Sequence, residues 1–125
     1  MSNYDLELAR KFFEAKMTFT TGVHELDYLV QRGGDFVVVD VRLPSDYAKG
    51  HVPGAINLPK GKWQTAKGLR KDAIHYLYCY NQTCHLAAEA AVEFTKAGYK
   101  VVEVEGGWAA WEVNGYRVEP AVNAA

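Results

Sequence analysis

The chain contains only two cysteines, Cys79 and Cys84, in one short stretch, "YLYCYNQTCHL" at 76–86. Two thiols are too few for a disulfide framework. Long apolar runs are also missing. The longest, "FVVV" at 36–39, falls far short of the roughly 20 residues that span a membrane. Neither sign of charge prevails: the net charge is -1, which offers no electrostatic grip on nucleic acid or anionic lipid. The N-terminal "MSNYDLELARKFFEAKM" is charged throughout and lacks the apolar centre of a secretory signal. There is no internal repeat, low-complexity segment or long linker. These absences predict a cytoplasmic protein in a reducing compartment, with neither a membrane nor a nucleic acid as partner. Its oligomeric state is left open.

What is present suits one globular domain. The chain has 125 residues, 49% of them hydrophobic and 23% charged. A chain of that size buries roughly two-thirds of its unfolded surface, enough for a core without staples.

The pattern alternates strands with helices. Leu6, Leu8, Ala9, Phe12, Phe13 and Met17 recur near helical spacing and predict an amphipathic first helix over 4–17. "TFTT" at 18–21 is β-branched and reads as a strand. Val23, Leu26, Leu29 and Val30 share a second helical face, stopped by Gly33-Gly34. "FVVVDV" at 36–41 is apolar up to Asp40, as strands buried on both faces are. A turn-rich segment with a short helix at 45–49 leads to a brief strand at 55–59. "KGKWQTAKGL" is polar and ambiguous. "AIHYLY" at 73–78 predicts a strand ending at Cys79. The helix in "HLAAEAAVEFTKAGY" carries Leu86, Ala90, Ala91 and Phe94 on one face and is capped by Gly98. A strand, "KVVEVE", and a helix, "WAAWEV", ended by Asn114-Gly115, close the pattern. Such alternation implies a parallel sheet covered on both faces, with ligands bound beyond the carboxyl ends of the strands. Two strand ends carry chemistry: Asp40-Val41-Arg42 and Cys79.

A cysteine between a strand and a helix N-terminus has a reason to ionise. Loop N–H groups converge on it and the helix dipole adds positive potential, which favours the reactive thiolate. The same cradle suits a thiolate that carries an extra sulfur. The residues alone also admit a plainer reading, a small buried apolar cysteine. Cys84 is either a resolving thiol, able to form a Cys79–Cys84 disulfide, or a first-turn helix residue placed by packing. A metal site needs about four ligands, and Cys79, Cys84 and His85 supply three at most. No metal and no cofactor is expected. His24, His75, Trp108 and Trp111 read as packing or surface residues, and Tyr76 and Tyr78 as core.

Three segments then resemble one family. "VVDVRLPSDYAKGHVPGAINLP" at 38–59 is similar to the "DVR…GHIPGAxNLP" segment of the rhodanese homology domain. "YLYC" at 76–79 resembles that family's active-site strand and cysteine. "VEVEGGWAAWEVNGYRVE" at 102–119 is similar to its "GGxxAWxxxGxPV" ending. The motifs occur in family order, which divides the chain into a helical extension at 1–17, a rhodanese-like domain at 18–119 and a tail at 120–125. The resemblance implies an α/β fold around a five-stranded parallel sheet with helices on both faces. It implies a sulfurtransferase that moves sulfane sulfur from a small donor, through a persulfide on Cys79, to a thiol or protein acceptor. Tyr80, Asn81, Gln82, Thr83, Cys84 and His85 then form the substrate-binding loop, with Arg42. Arg42 and Asp46 match a basic and acidic pair that braces the pocket, His51 matches a turn histidine, and Asp40 supports the loop.

The loop departs from the family where substrate is chosen. Between Cys79 and Leu86 there is no Lys, Arg or Gly. A thiosulfate dianion meets no guanidinium fork, so thiosulfate use is expected to be poor. The related dual-specificity phosphatases use Cys-x5-Arg; here the sixth residue after Cys79 is His85, which argues against phosphatase activity. The rival expectation on the same fold is a non-catalytic interaction or redox-sensing module built on Cys79 and Cys84.

Overall fold

The computed structural model describes residues 3–120. Helix α1 spans Leu6–Phe19, strand β1 Thr20–Gly22 and helix α2 Val23–Arg32. They are followed by β2 (Phe36–Asp40), α3 (Pro44–Lys49) and β3 (Ile56–Asn57). A 3₁₀ turn at Trp63–Thr65 precedes β4 (Ile74–Tyr78), α4 (Leu86–Lys96), β5 (Lys100–Glu105) and α5 (Gly107–Val113). The five strands form one sheet in the order β1-β5-β4-β2-β3, and every neighbouring pair is parallel. Parallel neighbours need crossovers, and these cover both faces. On one face Ala87, Ala90 and Phe94 of α4 pack on Val39 and Leu77. On the other, Leu26 of α2 and Trp111 of α5 pack on Val38, Tyr78 and Val104. The alternation along β4 places Tyr76 and Tyr78 together on the second face. Burying one such Leu or Phe side chain is worth about 1.5–3 kcal/mol.

The N-terminal boundary differs from the sequence reading. Thr18 and Phe19, expected in a strand, form the last turn of α1, and β1 begins at Thr20. The hydroxyls account for this: Thr18 Oγ1 donates to the Glu14 carbonyl and Thr20 Oγ1 to the Lys16 carbonyl, so helix-end acceptors find local donors. At the other end Asp5 caps the helix by accepting from the Leu8 N–H at 2.9 Å. A boundary after residue 17 therefore falls inside α1. The predicted amphipathic pattern forms, but its apolar side does not enter the core: α1 has no buried residue, and Leu6, Phe12, Phe13 and Met17 are exposed. The third strand is shorter than expected, only Ile56–Asn57. Of the expected tail at 120–125, residues 121–125 lie outside the described residues.

Gly98 ends α4 as the sequence suggests. It adopts φ +92°, and the Tyr99 N–H turns back to the Phe94 carbonyl at 2.9 Å. The result matters for the site because α4 and β5 pack over the end of β4, where Cys79 lies.

Candidate active site

The strand order sets β2 beside β4, with Asp40 opposite Tyr78. Both chains leave the sheet at its carboxyl edge, and the Val41 N–H still donates to the Tyr78 carbonyl at 3.1 Å. Asp40-Val41-Arg42 and Cys79 are thereby brought side by side.

Cys79 is only 3% exposed. Its Sγ lies 3.6 Å from the Cys84 carbonyl oxygen, to which it donates. The backbone N–H groups of Tyr80 and Ala87 face the same sulfur. The Cys84 thiol interacts with that of Cys79, and the N–H groups of Leu86 and Tyr80 face it in turn. The two thiols, both free, share one cradle, with the Tyr80 N–H common to both.

Ionisation runs opposite to the expectation. Burial pushes the Cys79 thiol up to about 11, the hydrogen bond to Cys84 adds to it, and the Ala87 and Tyr80 N–H groups offset only part. Burial also raises Cys84, but less. The Cys79 hydrogen bond and the N–H groups of Leu86 and Tyr80 outweigh it and hold Cys84 below its ordinary value. The first proton of the pair leaves from Cys84. The sequence pattern placed Cys79 correctly at a strand end; it did not show that α4 closes over it and excludes water.

The loop is held from inside and outside. Asn81 Oδ1 accepts from the Thr83 N–H at 3.1 Å and from Thr83 Oγ1 at 2.9 Å, and the Cys84 N–H donates to the Asn81 carbonyl at 3.2 Å. From α5, the Trp108 and Ala109 N–H groups donate to the carbonyls of Cys79 and Tyr80, each at 2.8 Å. This approach requires glycine. Gly107 has φ +57°, and a Cβ there would stand 2.6 Å from the Cys79 carbonyl oxygen.

Beneath the loop lies a buried ionic brace. Asp40 is fully buried and Arg42 is 3% exposed. Asp40 accepts from the Arg42 backbone N–H at 2.9 Å, from Arg42 Nη2 at 2.7 Å and from the Tyr78 hydroxyl at 2.8 Å. Arg42 Nη2 also donates to the Gly50 carbonyl at 2.7 Å, and the guanidinium lies 4.5 Å from the Trp108 ring centroid. Arg42 thus pairs with Asp40 and not with Asp46, and its donors turn inward rather than toward the thiols. Asp46 instead accepts from the Tyr80 hydroxyl. His51 stacks on Tyr47 at 3.8 Å between centroids, and its Nδ1 is 2.9 Å from the Tyr47 carbonyl. Among the described residues no buried side-chain nitrogen or oxygen lacks a partner.

Asn81, Gln82, Thr83 and His85 are exposed, and Cys84 is half-buried. Gln82, Cys84 and His85 border a cavity of about 480 Å³ whose far wall includes Glu103 and Glu105 of β5. Burial and the neighbouring Glu105 push the Glu103 carboxyl above the usual carboxylate range. Cys79 does not reach this cavity. Two larger cavities, about 780 Å³ each, touch neither cysteine. Among the described residues no group of three or more His, Cys, Asp or Glu is arranged to hold a metal ion. Among them, no helix is long and apolar enough to cross a membrane.

Comparison with known proteins decides the family. The model of the rhodanese-like domain matches residues 23–114. The chain belongs to the rhodanese-like domain family. It is 31% identical over 90 residues to the HTH-type transcriptional regulator Rv0324 of Mycobacterium tuberculosis, a match covering 71% of this chain and 40% of that protein. It is 34% identical over 91 residues to the probable adenylyltransferase/sulfurtransferase MoeZ of the same species, covering 70% of this chain and 23% of MoeZ. The chain therefore spans less than half the length of either relative. The crystal structure of the BH2092 protein from Bacillus halodurans superposes with a TM-score of 0.83 at 30% identity, covering 94% of this chain and 88% of that one.

In this rhodanese-like domain the sequence motifs locate the cysteine loop, the "DVR" strand end and the closing glycine pair. Three features of the site were not legible: the Tyr78 hydroxyl on Asp40, the Tyr80 hydroxyl on Asp46 and the Trp108 ring over Arg42. The one available signal was the glycine pair before Trp108. It marks a close backbone approach without naming the partner.

Proposed function

We propose that this rhodanese-like chain is a sulfurtransferase that carries sulfane sulfur as a persulfide on Cys79. The observation that carries the reading is the position of Cys79, beyond the carboxyl end of β4 with the N–H groups of Tyr80 and Ala87 turned onto its sulfur. A persulfide is a stronger acid than its thiol, so its outer sulfur is the anion that such donors stabilise. The family match supports it, as does the similarity to a protein described as a probable sulfurtransferase. The partners are a small sulfur donor and a thiol, free or on a protein. Loading converts Cys79–SH and R–S–SH into Cys79–S–SH and RSH; transfer to an acceptor thiol reverses the same exchange. A reducing cytoplasm would keep both cysteines free for it.

The loop N–H groups and the absence of a free guanidinium favour a persulfide or polysulfide donor over thiosulfate. A second reading rests on the contact between the two thiols. Oxidation to a Cys79–Cys84 disulfide would make the domain a redox-sensing module. The two are separated by incubating the protein with sodium polysulfide, removing excess, adding a small thiol and measuring sulfide release. The transferase reading expects release with repeated turnover, with the sulfur held between loading and release mapped to Cys79. A single stoichiometric event that leaves the protein as a disulfide supports the sensing module instead.

A further inference from the structure

The two sulfurs of the cradle do not have equal access to solvent. Cys79 is 3% exposed and contributes nothing to the wall of the cavity beside the loop. Cys84 is half-buried and borders that cavity, between Gln82 and His85. Cys79 Sγ also donates to the carbonyl oxygen of Cys84 at 3.6 Å, which sets the two residues against each other. A donor that approaches from solvent meets Cys84 first, and Cys79 lies one sulfur further in.

We infer that sulfur enters at Cys84 and is relayed inward to Cys79, so that Cys84 is the thiol that attacks the donor. This rests on the sulfur-carrier reading and assigns its entry step. In the first exchange the Cys84 thiolate attacks the outer sulfur of a persulfide R–S–SH. A bond from Cys84 to that sulfur forms, the donor's S–S bond breaks, and RS⁻ leaves. In the second, the Cys79 sulfur attacks the same outer sulfur. The new bond to Cys79 forms as the bond to Cys84 breaks, and the proton of Cys79 passes to the departing Cys84 sulfur. The products are Cys84–SH and Cys79–S–SH. The sulfane sulfur keeps its oxidation state, and no external oxidant or reductant is required.

The surroundings of Cys84 suit the entry step. The Leu86 and Tyr80 N–H groups face its sulfur, and its thiol is the more readily ionised of the pair. Facing the cavity are Glu89 of α4, His85, and Glu103 and Glu105 of β5. Lys16 of α1 is paired with Glu105 and Lys60 with Glu89. No unpaired Lys or Arg among the cavity-lining residues draws in a dianion, whereas a neutral or singly charged persulfide can approach the sulfur. The relay also gives the buried position of Cys79 a use: a persulfide stored there is shielded from the solvent that reaches Cys84.

The test is a rapid-quench time course with glutathione persulfide as donor, trapping with an alkylating agent and peptide mass mapping of each cysteine. In the wild-type protein the extra sulfur is expected on Cys84 at the earliest times and on Cys79 later. Loading of Cys79 is expected to slow at least about tenfold in Cys84→Ser and equally in Cys84→Ala, because the remaining thiol is buried and protonated. Wild-type rates of Cys79 loading in a folded Cys84 variant would overturn the relay. So would sulfur that appears on Cys79 before Cys84 in the wild-type protein, a readout that needs no variant. Either result leaves Cys79 loading, and with it the carrier reading, intact. No sulfur on either residue would instead remove the carrier reading together with the relay.

Discussion

The backbone N–H of Trp108 donates to the carbonyl of Cys79 at 2.8 Å. The first turn of α5 thus fixes the peptide that carries the cysteine, although the two residues come from motifs far apart in the chain. Gly107 makes the approach possible, since any side chain there would meet that carbonyl. Gly107→Ala is expected to destabilise the fold by about 1–3 kcal/mol, from the positive φ and the clash together. It should also raise the alkylation rate of Cys79 as the loop loosens. A urea midpoint equal to that of the wild-type protein would contradict this account of the glycine.

The brace beneath the loop leads to a second expectation. The buried Asp40 carboxylate accepts from Arg42 and from the Tyr78 hydroxyl, and removing it leaves the Arg42 charge buried and unpaired. Asp40→Ala is expected to cost about 3–5 kcal/mol. Tyr78→Phe, which removes only the hydroxyl, should cost about 1–2 kcal/mol. Chemical denaturation of both variants checks the order. A Tyr78→Phe loss larger than that of Asp40→Ala would show that the ion pair is not what anchors the strand end.

Alkylation of the two thiols should separate with pH. The reactive form is the thiolate. Cys84, held below its ordinary pKa, is expected to be labelled first at neutral pH. Labelling of Cys79 should climb only as pH approaches about 11. Peptide mapping after iodoacetamide pulses at stepped pH reads both profiles. Faster labelling of Cys79 at neutral pH would reverse the ionisation order.

Stability should fall in acid through His75. Its Nε2 accepts from the Arg70 N–H at 2.9 Å, so Nδ1 carries the proton toward the Lys100 carbonyl at 2.8 Å. Burial depresses its pKa, the Arg70 charge adds to this, and the Lys100 carbonyl opposes it. A depressed pKa in the folded state gives stability that is fully present above about 6.5, the unfolded value, and is lost as pH falls through the folded value. The urea midpoint is therefore expected to drop as pH falls below about 6.5, with a shallower drop in His75→Gln. Equal slopes in both proteins would remove His75 from the acid response.

Thiosulfate should be a poor donor, because the loop carries no cation and Arg42 is committed to Asp40 and the Gly50 carbonyl. Thr83 is exposed on the loop. Thr83→Arg is expected to improve thiosulfate:cyanide transfer chiefly through KM, by about tenfold or more, the equivalent of one charge-assisted hydrogen bond. Strong activity of the wild-type protein with thiosulfate would mean that the backbone N–H groups suffice.

How much was legible in the sequence depends on the range of the forces involved. The continuous apolar run of β2, the helical spacing of α4 and the glycine stops are local signals, and those elements form where expected. The end of α1 was missed because Thr18 and Thr20 satisfy helix carbonyls through their hydroxyls, which overrides a β-branched preference. The partner of Arg42 was misread because Asp40 and Asp46 both lie within one turn of chain; only the fold shows which carboxylate is buried beside it. The ionisation order of Cys79 and Cys84 was illegible for a related reason. Motif spacing locates a thiol at a strand end, whereas its pKa depends on how completely α4 covers it.

The central claim is that Cys79 is the residue on which sulfur rests. It is tested most directly by intact and peptide-mapped mass spectrometry of the wild-type protein loaded with polysulfide and freed of excess donor without reductant. The account predicts a gain of one sulfur atom that comes to rest on Cys79 and not on Cys84. A protein that gains no sulfur, or whose sulfur rests on Cys84 with none on Cys79, would contradict it.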